Sequence, residues 1–412
     1  MTGDSIRPVR RSQYKRAVSA AAILAAGSMA VAACSSSSPA SSGSTSGASS
    51  TGSANVASST TLPSTITVTS IQDLTGAVGP VGISTQDGMN LAVKAINSSH
   101  MLGNTQIQIT YKDTQTTQSQ AVAEASAAAS TNVDAIFGPV LSTEAVAVAP
   151  IVESAKIPTI FTQAGGPGVV TPGGYVFRVT APQSDYQPNL VKYLAAHNVK
   201  TVTMLYDSTV PTTAGIAQTT LPPLFKSAGI SIKGSYGWAE GTSDFSSYAT
   251  KVASENPDAV GVEGITTEPS PVIIALRNAG YKGLIFGGTS FQAFTLQAAG
   301  QQAKGVIWAT DFDQNSTSPT TAAFVKAYEA AYKGAPLDYA AEGYDAVYLL
   351  AYGLKDTTGT FSRAALQAGL AKAAKAGFTG ALGHNVFVNQ DLVEPGYIQT
   401  YTGSAVETIS GS

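Results

Sequence analysis

Short apolar runs and helical stripes alternate along most of the chain. Apolar runs at Ile66–Ser70, Ile107–Lys112, Ala135–Phe137 and Pro158–Thr162 each read as a strand. Between them, apolar residues recur three and four apart. In ISTQDGMNLAVKAIN this spacing sets Met89, Ala92, Val93 and Ile96 on one helical face, and AVAEASAAAS and EAVAVAPIVESA continue the pattern. The chain then crosses over at Tyr175–Thr180 into a second series. Its strands are expected near Thr201–Tyr206, Ile230–Tyr236, Ala259–Glu263, Leu284–Phe286 and Gly305–Ala309, with Phe245, Tyr248 and Val252 as the stripe of one helix between them. After Asp311 come three helical patterns, SPTTAAFVKAYEAAYKG, DYAAEGYDAVYLLAYGL and FSRAALQAGLAKAAKAG. A hairpin-like end follows at Asn385–Val388 and Tyr397–Tyr401. This alternation predicts βαβ units and mostly parallel sheets. Ligands of open parallel sheets bind outside the carboxyl ends of the strands, so two such sheets facing each other would share one cleft.

The first 60 residues follow a different pattern. Arg7, Arg10, Arg11, Lys15 and Arg16 precede the uncharged run AVSAAAILAAGSMAVAA, which ends at the only cysteine of the chain, Cys34. A basic stretch, a short apolar core and small residues at its end make a secretory signal, over 1–33. The run is shorter than the roughly 20 apolar residues a spanning helix needs. A single cysteine makes no intrachain disulfide and holds no structural zinc alone. Residues 35–60 are almost all Ser, Thr, Gly and Ala, so 34–64 reads as a flexible tether that cannot bury enough apolar surface to offset its ordering entropy. Arg10-Arg11 also faintly resembles a twin-arginine signal.

Without signal and tether, about 350 residues remain, which suits two domains rather than one core. Charged residues are 12% and the net charge is −3. The mature part has no basic patch of the kind nucleic acid requires. No H-E-x-x-H, G-x-S-x-G or paired cysteines occur, and His100, His197 and His384 are scattered. Gly76-x-x-Gly79-x-x-Gly82 followed by Asp113 imitates a dinucleotide fingerprint. It lacks the G-x-G start, and Asp113 falls later than the usual ~20 residues. No catalytic residue, cofactor or metal is expected.

The ordered set of segments resembles a known family. DLTGAVGPVGISTQDGMNLAVKAIN, YKDTQTTQSQAVAEA, AIFGPVLSTEAVAVAPIVESAKIPTI, YVFRVTAPQSDYQ, IALRNAGYKGLIFGG and YAAEGYDAVYLLAYGL together resemble the branched-chain amino acid (leucine/isoleucine/valine-type) substrate-binding proteins of ABC transporters. The resemblance runs from about Ile66 to the end. It implies the type I periplasmic binding protein fold, an α/β architecture of two Rossmann-like lobes with parallel sheets and a three-crossing hinge. Lobe 1 would hold 66–181 and 312–387, and lobe 2 would hold 182–311 and 388–412. Hinge closure would trap a small solute, delivered to an ABC permease and its ATPases. Val31-Ala32-Ala33-Cys34 likewise resembles a bacterial lipobox, which implies lipid on Cys34 and anchoring to the outer face of the cytoplasmic membrane.

Carried onto this chain, the resemblance places Ser142, with Thr143 beside it, at the solute carboxylate. A helix N-terminus there would favour an anion, although an ordinary N-cap uses the same residue. Gln163, Ala164 and Gly165 would supply backbone and amide groups, where the family's threonine is missing. The family's aromatic walls align with Pro211 and Ile265, and the acid that pairs with an ammonium aligns with Thr289-Ser290. Val81 aligns with an aromatic cleft position, and Tyr186 and Tyr339 are candidates to line the opening. A desolvated ammonium needs a charge partner or several acceptors. Either Glu263 or Asp207, both at strand ends, supplies one, or the solute is not an α-amino acid but an amide, a urea-like compound or a small organic or aromatic carboxylate. Arg178 and Asp185 are expected to fix the crossover, and Tyr344 and Tyr348 to pack in the core. A sensory binding module that signals through a separate partner would share these lobes.

Overall fold

In a computed structural model, residues 61–239 and 241–410 are described. The expected signal, Cys34 and most of the tether lie outside them. The first series forms β1 (Thr65–Gln72), β2 (Gln106–Asp113), β3 (Ala135–Phe137), β4 (Thr159–Phe161) and β5 (Val176–Arg178). The second forms β6 (Thr201–Asp207), β7 (Ser231–Trp238), β8 (Ala259–Glu263), β9 (Leu284–Gly287) and β10 (Ile307–Thr310). The chain then returns through three helices to β11 (Phe378–Thr379), β12 (His384–Val388) and β13 (Asp391–Val393), and ends in β14 (Tyr397–Tyr401) and β15 (Val406–Ser410).

These strands make two sheets, ordered β11-β12-β13-β5-β4-β3-β1-β2 and β15-β14-β10-β9-β8-β6-β7. The two repeat one plan. The first strand of each series pairs in parallel with the second on one side and the third on the other. The order therefore reverses between β1 and β3 and again between β6 and β8. Each reversal leaves a crevice at the carboxyl ends of the strands.

The alternation in β3 is visible in the packing. Ala135 and Phe137 join Met89, Ala92 and Ile96 of the helix Gly79–Ser98 on one face of the first sheet. Ile136 faces the other way, against Ala145, Val148 and Val152 of the helix Ser142–Ser154. That first helix begins at Gly79, inside the expected loop, because Pro80 in its first turn has no N–H to lose there and a backbone angle already suited to a helix.

The chain crosses between the sheets after β5, after β10 and after β13. The last crossing lies between Val393 and Tyr397, whereas the expected boundary was 387/388. The short strand Asp391–Val393 joins the first sheet, parallel to β5 through Asp391 and Arg178 and antiparallel to β12. The three crossings touch. The Thr180 hydroxyl donates to Asp311 Oδ2 (3.0 Å), and Tyr186 bonds both Asp311 Oδ2 (3.2 Å) and the Ala181 carbonyl (2.9 Å). Gly396 in the last crossing has φ +78°, and a Cβ there would sit 3.0 Å from the Thr310 carbonyl oxygen and from the Tyr186 ring. Glycine is what lets the third crossing pack against the other two.

Candidate solute-binding site

The carboxyl ends of five strands meet at one cavity of about 100 Å³. From the first sheet, the chain leaves β3 through Gly138 and brings Val140, Leu141, Ser142 and Thr143 to the wall. Gly138 has φ +75°, and a Cβ there would fall 2.1 Å from the Ile71 carbonyl oxygen, so a side chain would push β3 off β1 at the reversal. Gln163 follows β4. From the second sheet come Val210, Thr212 and Thr213 after β6, Glu263 to Thr266 at and after β8, and Gly288 to Ser290 after β9. Val78, Val81, Gln183 and Tyr339 complete the lining.

The lobes are closed on this cavity. Gln163 Nε2, from the first, donates to Thr289 Oγ1 of the second (3.2 Å), and Gln183 Nε2 donates to the same oxygen (3.1 Å). The Tyr339 hydroxyl donates to the Thr289 carbonyl (3.2 Å).

Of the expected residues, Val81, Ser142, Thr143, Gln163, Glu263, Ile265, Thr289, Ser290 and Tyr339 line the cavity together. Four do not. Ala164 is buried against Ile71 and Phe161, because Gln163 takes φ +49° and turns the next side chain back toward the sheet. Gly165 accepts from the Gln183 amide through its carbonyl (3.0 Å), and the Gln183 side chain fills the space a Cβ would take. Pro211 is exposed at the first turn of its helix, while Val210 and Thr212 beside it face the cavity. Tyr186 is held at the crossings by Asp311 and Ala181. The residues not anticipated from the sequence flank strand ends that were, with one exception: Gln183 opens the helix Gln183–Ala196 and had no signal of its own.

Arg178 braces the loop behind Gln163. It is buried, donates Nη1 to the Ala164 (2.7 Å) and Gly166 (2.8 Å) carbonyls, and grips both oxygens of Asp391 with Nε and Nη2. Gly166 in turn donates its N–H to Ser142 Oγ (2.9 Å), leaving the Ser142 hydroxyl proton to point elsewhere. Ser142 is the first residue of a 13-residue helix whose N-cap, Leu141, offers no side-chain acceptor. The amide groups of its first turn therefore have no capping side chain.

The electrostatics are acidic. Glu263 is 2% exposed, and burial pushes its carboxyl up to about 8. Its Oε1 has no hydrogen-bond partner among the described residues. Asp207, which ends β6, is engaged by Thr209, whose N–H and hydroxyl both donate to its Oδ1. Behind Ser142, burial and the neighbouring Asp73 push Glu144 upward; burial raises Asp73 as well. The lining carries no Lys, Arg or His. Among the described residues no group of three or more His, Cys, Asp or Glu is arranged to hold a metal, and no helix is long and apolar enough to cross a membrane.

Two doubly wound lobes, three crossings and a cavity at facing strand ends define a two-lobed binding protein of the type I periplasmic fold. The chain belongs to the periplasmic binding protein family, whose model matches residues 65–405. Solved structures agree. A leucine binding protein from Thermotoga maritima superposes with TM-score 0.75 at 23% identity, covering 84% of this chain and 98% of that one. The branched-chain amino acid transporter substrate binding protein of Streptococcus pneumoniae, in complex with isoleucine, gives TM-score 0.75 at 25% identity, with 84% and 99% covered. An ABC transporter solute binding protein from R. palustris in complex with benzoate gives TM-score 0.75 at 21% identity, with 84% and 96% covered. No curated protein matches the chain by sequence.

Proposed function

We propose that this chain is an extracytoplasmic solute-binding lipoprotein, held by lipid on Cys34, that traps a small polar organic solute between its lobes and delivers it to an ABC importer. The observation that carries the reading is the closed cavity at the paired strand reversals. It is lined by hydroxyls, amides and one buried carboxyl, and it is latched by bonds from Gln163 and Tyr339 to Thr289. Such a site gives a solute differential affinity for the closed state, which ligand-driven closure requires. Ser142, Thr143, Gln163, Glu263, Thr289 and Ser290 are the polar groups assigned to the solute. Val81, Ile265 and Tyr339 are its apolar walls.

The test is a thermal-shift screen of the full chain against amino acids, amides, urea and small carboxylates. A true solute at a hundred times its Kd stabilises by about 2.7 kcal/mol. A screen in which no compound raises the melting temperature removes the reading. For the best compound, Ser142→Ala is expected to weaken binding about fivefold, the effect of one neutral hydrogen bond. Unchanged affinity on titration would take Ser142 out of the site.

A further inference from the structure

Among the residues lining the cavity, Glu263 carries the one enclosed side-chain atom that lacks a hydrogen-bond partner among the described residues. The Gln163 and Gln183 amides are engaged with Thr289. The Thr213 hydroxyl is held at the Asp207 carbonyl (2.6 Å) and the Tyr339 hydroxyl at the Thr289 carbonyl. Glu263 Oε2 lies against Gly288, where a Cβ would come within 2.9 Å, and Oε1 has no partner among the described residues. No cationic side chain lines the space with it. A buried carboxylate without a partner is costly, so this carboxyl favours its neutral form; Oε1 is enclosed, which leaves Oε2 for a solute. The cavity also restricts size. At about 100 Å³ it is smaller than the ~150 Å³ cavity known to admit benzene.

Resting on the reading above, we propose that the solute is a compact neutral amide, a carboxamide or urea, that hydrogen-bonds Glu263 through Oε2, and that a lining without a cation makes the cavity reject carboxylates of the same size. The raised Glu263 titration agrees with this, since a protonated carboxyl offers one O–H and one C=O. The titratable groups nearest it on the surrounding elements are Tyr206, its register partner on β6, Asp207 ending β6, Glu268 after β8 and Tyr339 from the facing lobe. None is a cation that would hold Glu263 ionised.

The experiment is calorimetric titration of the full chain with acetamide and urea against acetate, glycine and benzoate. At about pH 6 the amides are expected to bind at least about tenfold tighter than acetate, and to weaken as pH rises through the Glu263 range near about 8. Glu263→Gln keeps a donor and an acceptor in the same place. It is expected to retain amide binding within about threefold and to lose the pH dependence, whereas Glu263→Leu loses about tenfold or more. Melting curves check that both variants fold; neither removes a bonded partner of Oε1, so both are expected to melt no lower than the parent. Acetate, glycine or benzoate binding as tightly as the amides overturns the neutral-amide assignment while leaving a solute-binding site. So does a Glu263→Leu protein that folds and keeps its affinity. If neither this panel nor the wider screen binds, the solute-binding reading itself falls, and this proposal with it.

Discussion

Replacing Arg178 with methionine is expected to lower the stability of the folded body by about 3 kcal/mol and to weaken solute binding with it. Arg178 is 3% exposed, and its guanidinium joins three separate pieces of chain. It donates to the carbonyls of Ala164 and Gly166, and its fork holds Asp391, through which β13 pairs with β5. Methionine fills similar volume but orphans two carbonyl oxygens and a carboxylate. Removing one partner of a buried ion pair costs about 3–5 kcal/mol, and the lower end applies because the Asp391 side chain keeps 25% of its exposure. The loop that Arg178 supports carries Gln163, so closure onto Thr289 loosens too. Arg178→Lys restores charge but cannot fork, and should recover less than half of the loss. Denaturant unfolding measures the effect. A midpoint shift equivalent to less than about 1 kcal/mol would show that the bridge does not hold the first lobe together.

Arg178 also marks the division between what the sequence reveals and what it hides. Its part in the crossover was legible, because a lone arginine in an apolar strand needs internal partners. Which carbonyls it meets was not, since that depends on the turn at Gln163. The central strands β3, β4, β5, β8 and β10 were legible because their residues are buried on both faces and read as continuous apolar runs, whereas the edge strands β2 and β7 are largely half-buried or exposed. Ser142, Gln163 and Thr289 came from the family resemblance and Glu263 from its strand end, and the four converge on one cavity. Side-chain phase was not legible. The positive φ at Gln163 sends Ala164 into the core, and one helical turn separates Gln183, in the cavity, from Tyr186, at the crossings. The strand Asp391–Val393 is too short for any periodicity. It exists because Arg178 and β12 flank it, so the last crossing could not be placed from pattern alone. Tyr344 and Tyr348 behave as helical spacing implies: their rings pack 4.8 Å apart and their hydroxyls share a hydrogen bond of 3.2 Å.

The melting temperature is expected to be highest in mildly acid solution and to fall by about ten degrees or more between about pH 5 and about pH 8. The crossings are packed with carboxyls that pair with no cation among the described residues. Asp311 meets Thr180 and Tyr186, Asp338 meets Thr310 and the Tyr339 N–H, and both oxygens of Glu342 lack a hydrogen-bond partner among the described residues. Burial raises all three, and Asp311 raises Asp338 and Glu342 further by its charge. Burial also lifts Asp345 to about 6, although the Ala381 and Leu382 amides and Asn385 bond its carboxylate. Glu144 and Glu263 reach about 8. Each group binds its proton more tightly in the fold than in the unfolded chain. Their stabilisation is therefore complete below the ordinary carboxylate range, and it is lost as pH climbs through that range to the folded values. Together they account for on the order of several kcal/mol. Glu342→Gln removes one contributor, so it should raise the melting temperature near about pH 8 and leave it nearly unchanged near about pH 5. A melting temperature that is flat or rising over this interval would mean that the crossings accommodate ionised carboxylates. The packing of Thr180, Tyr186 and Asp311 would then not depend on a protonated Asp311.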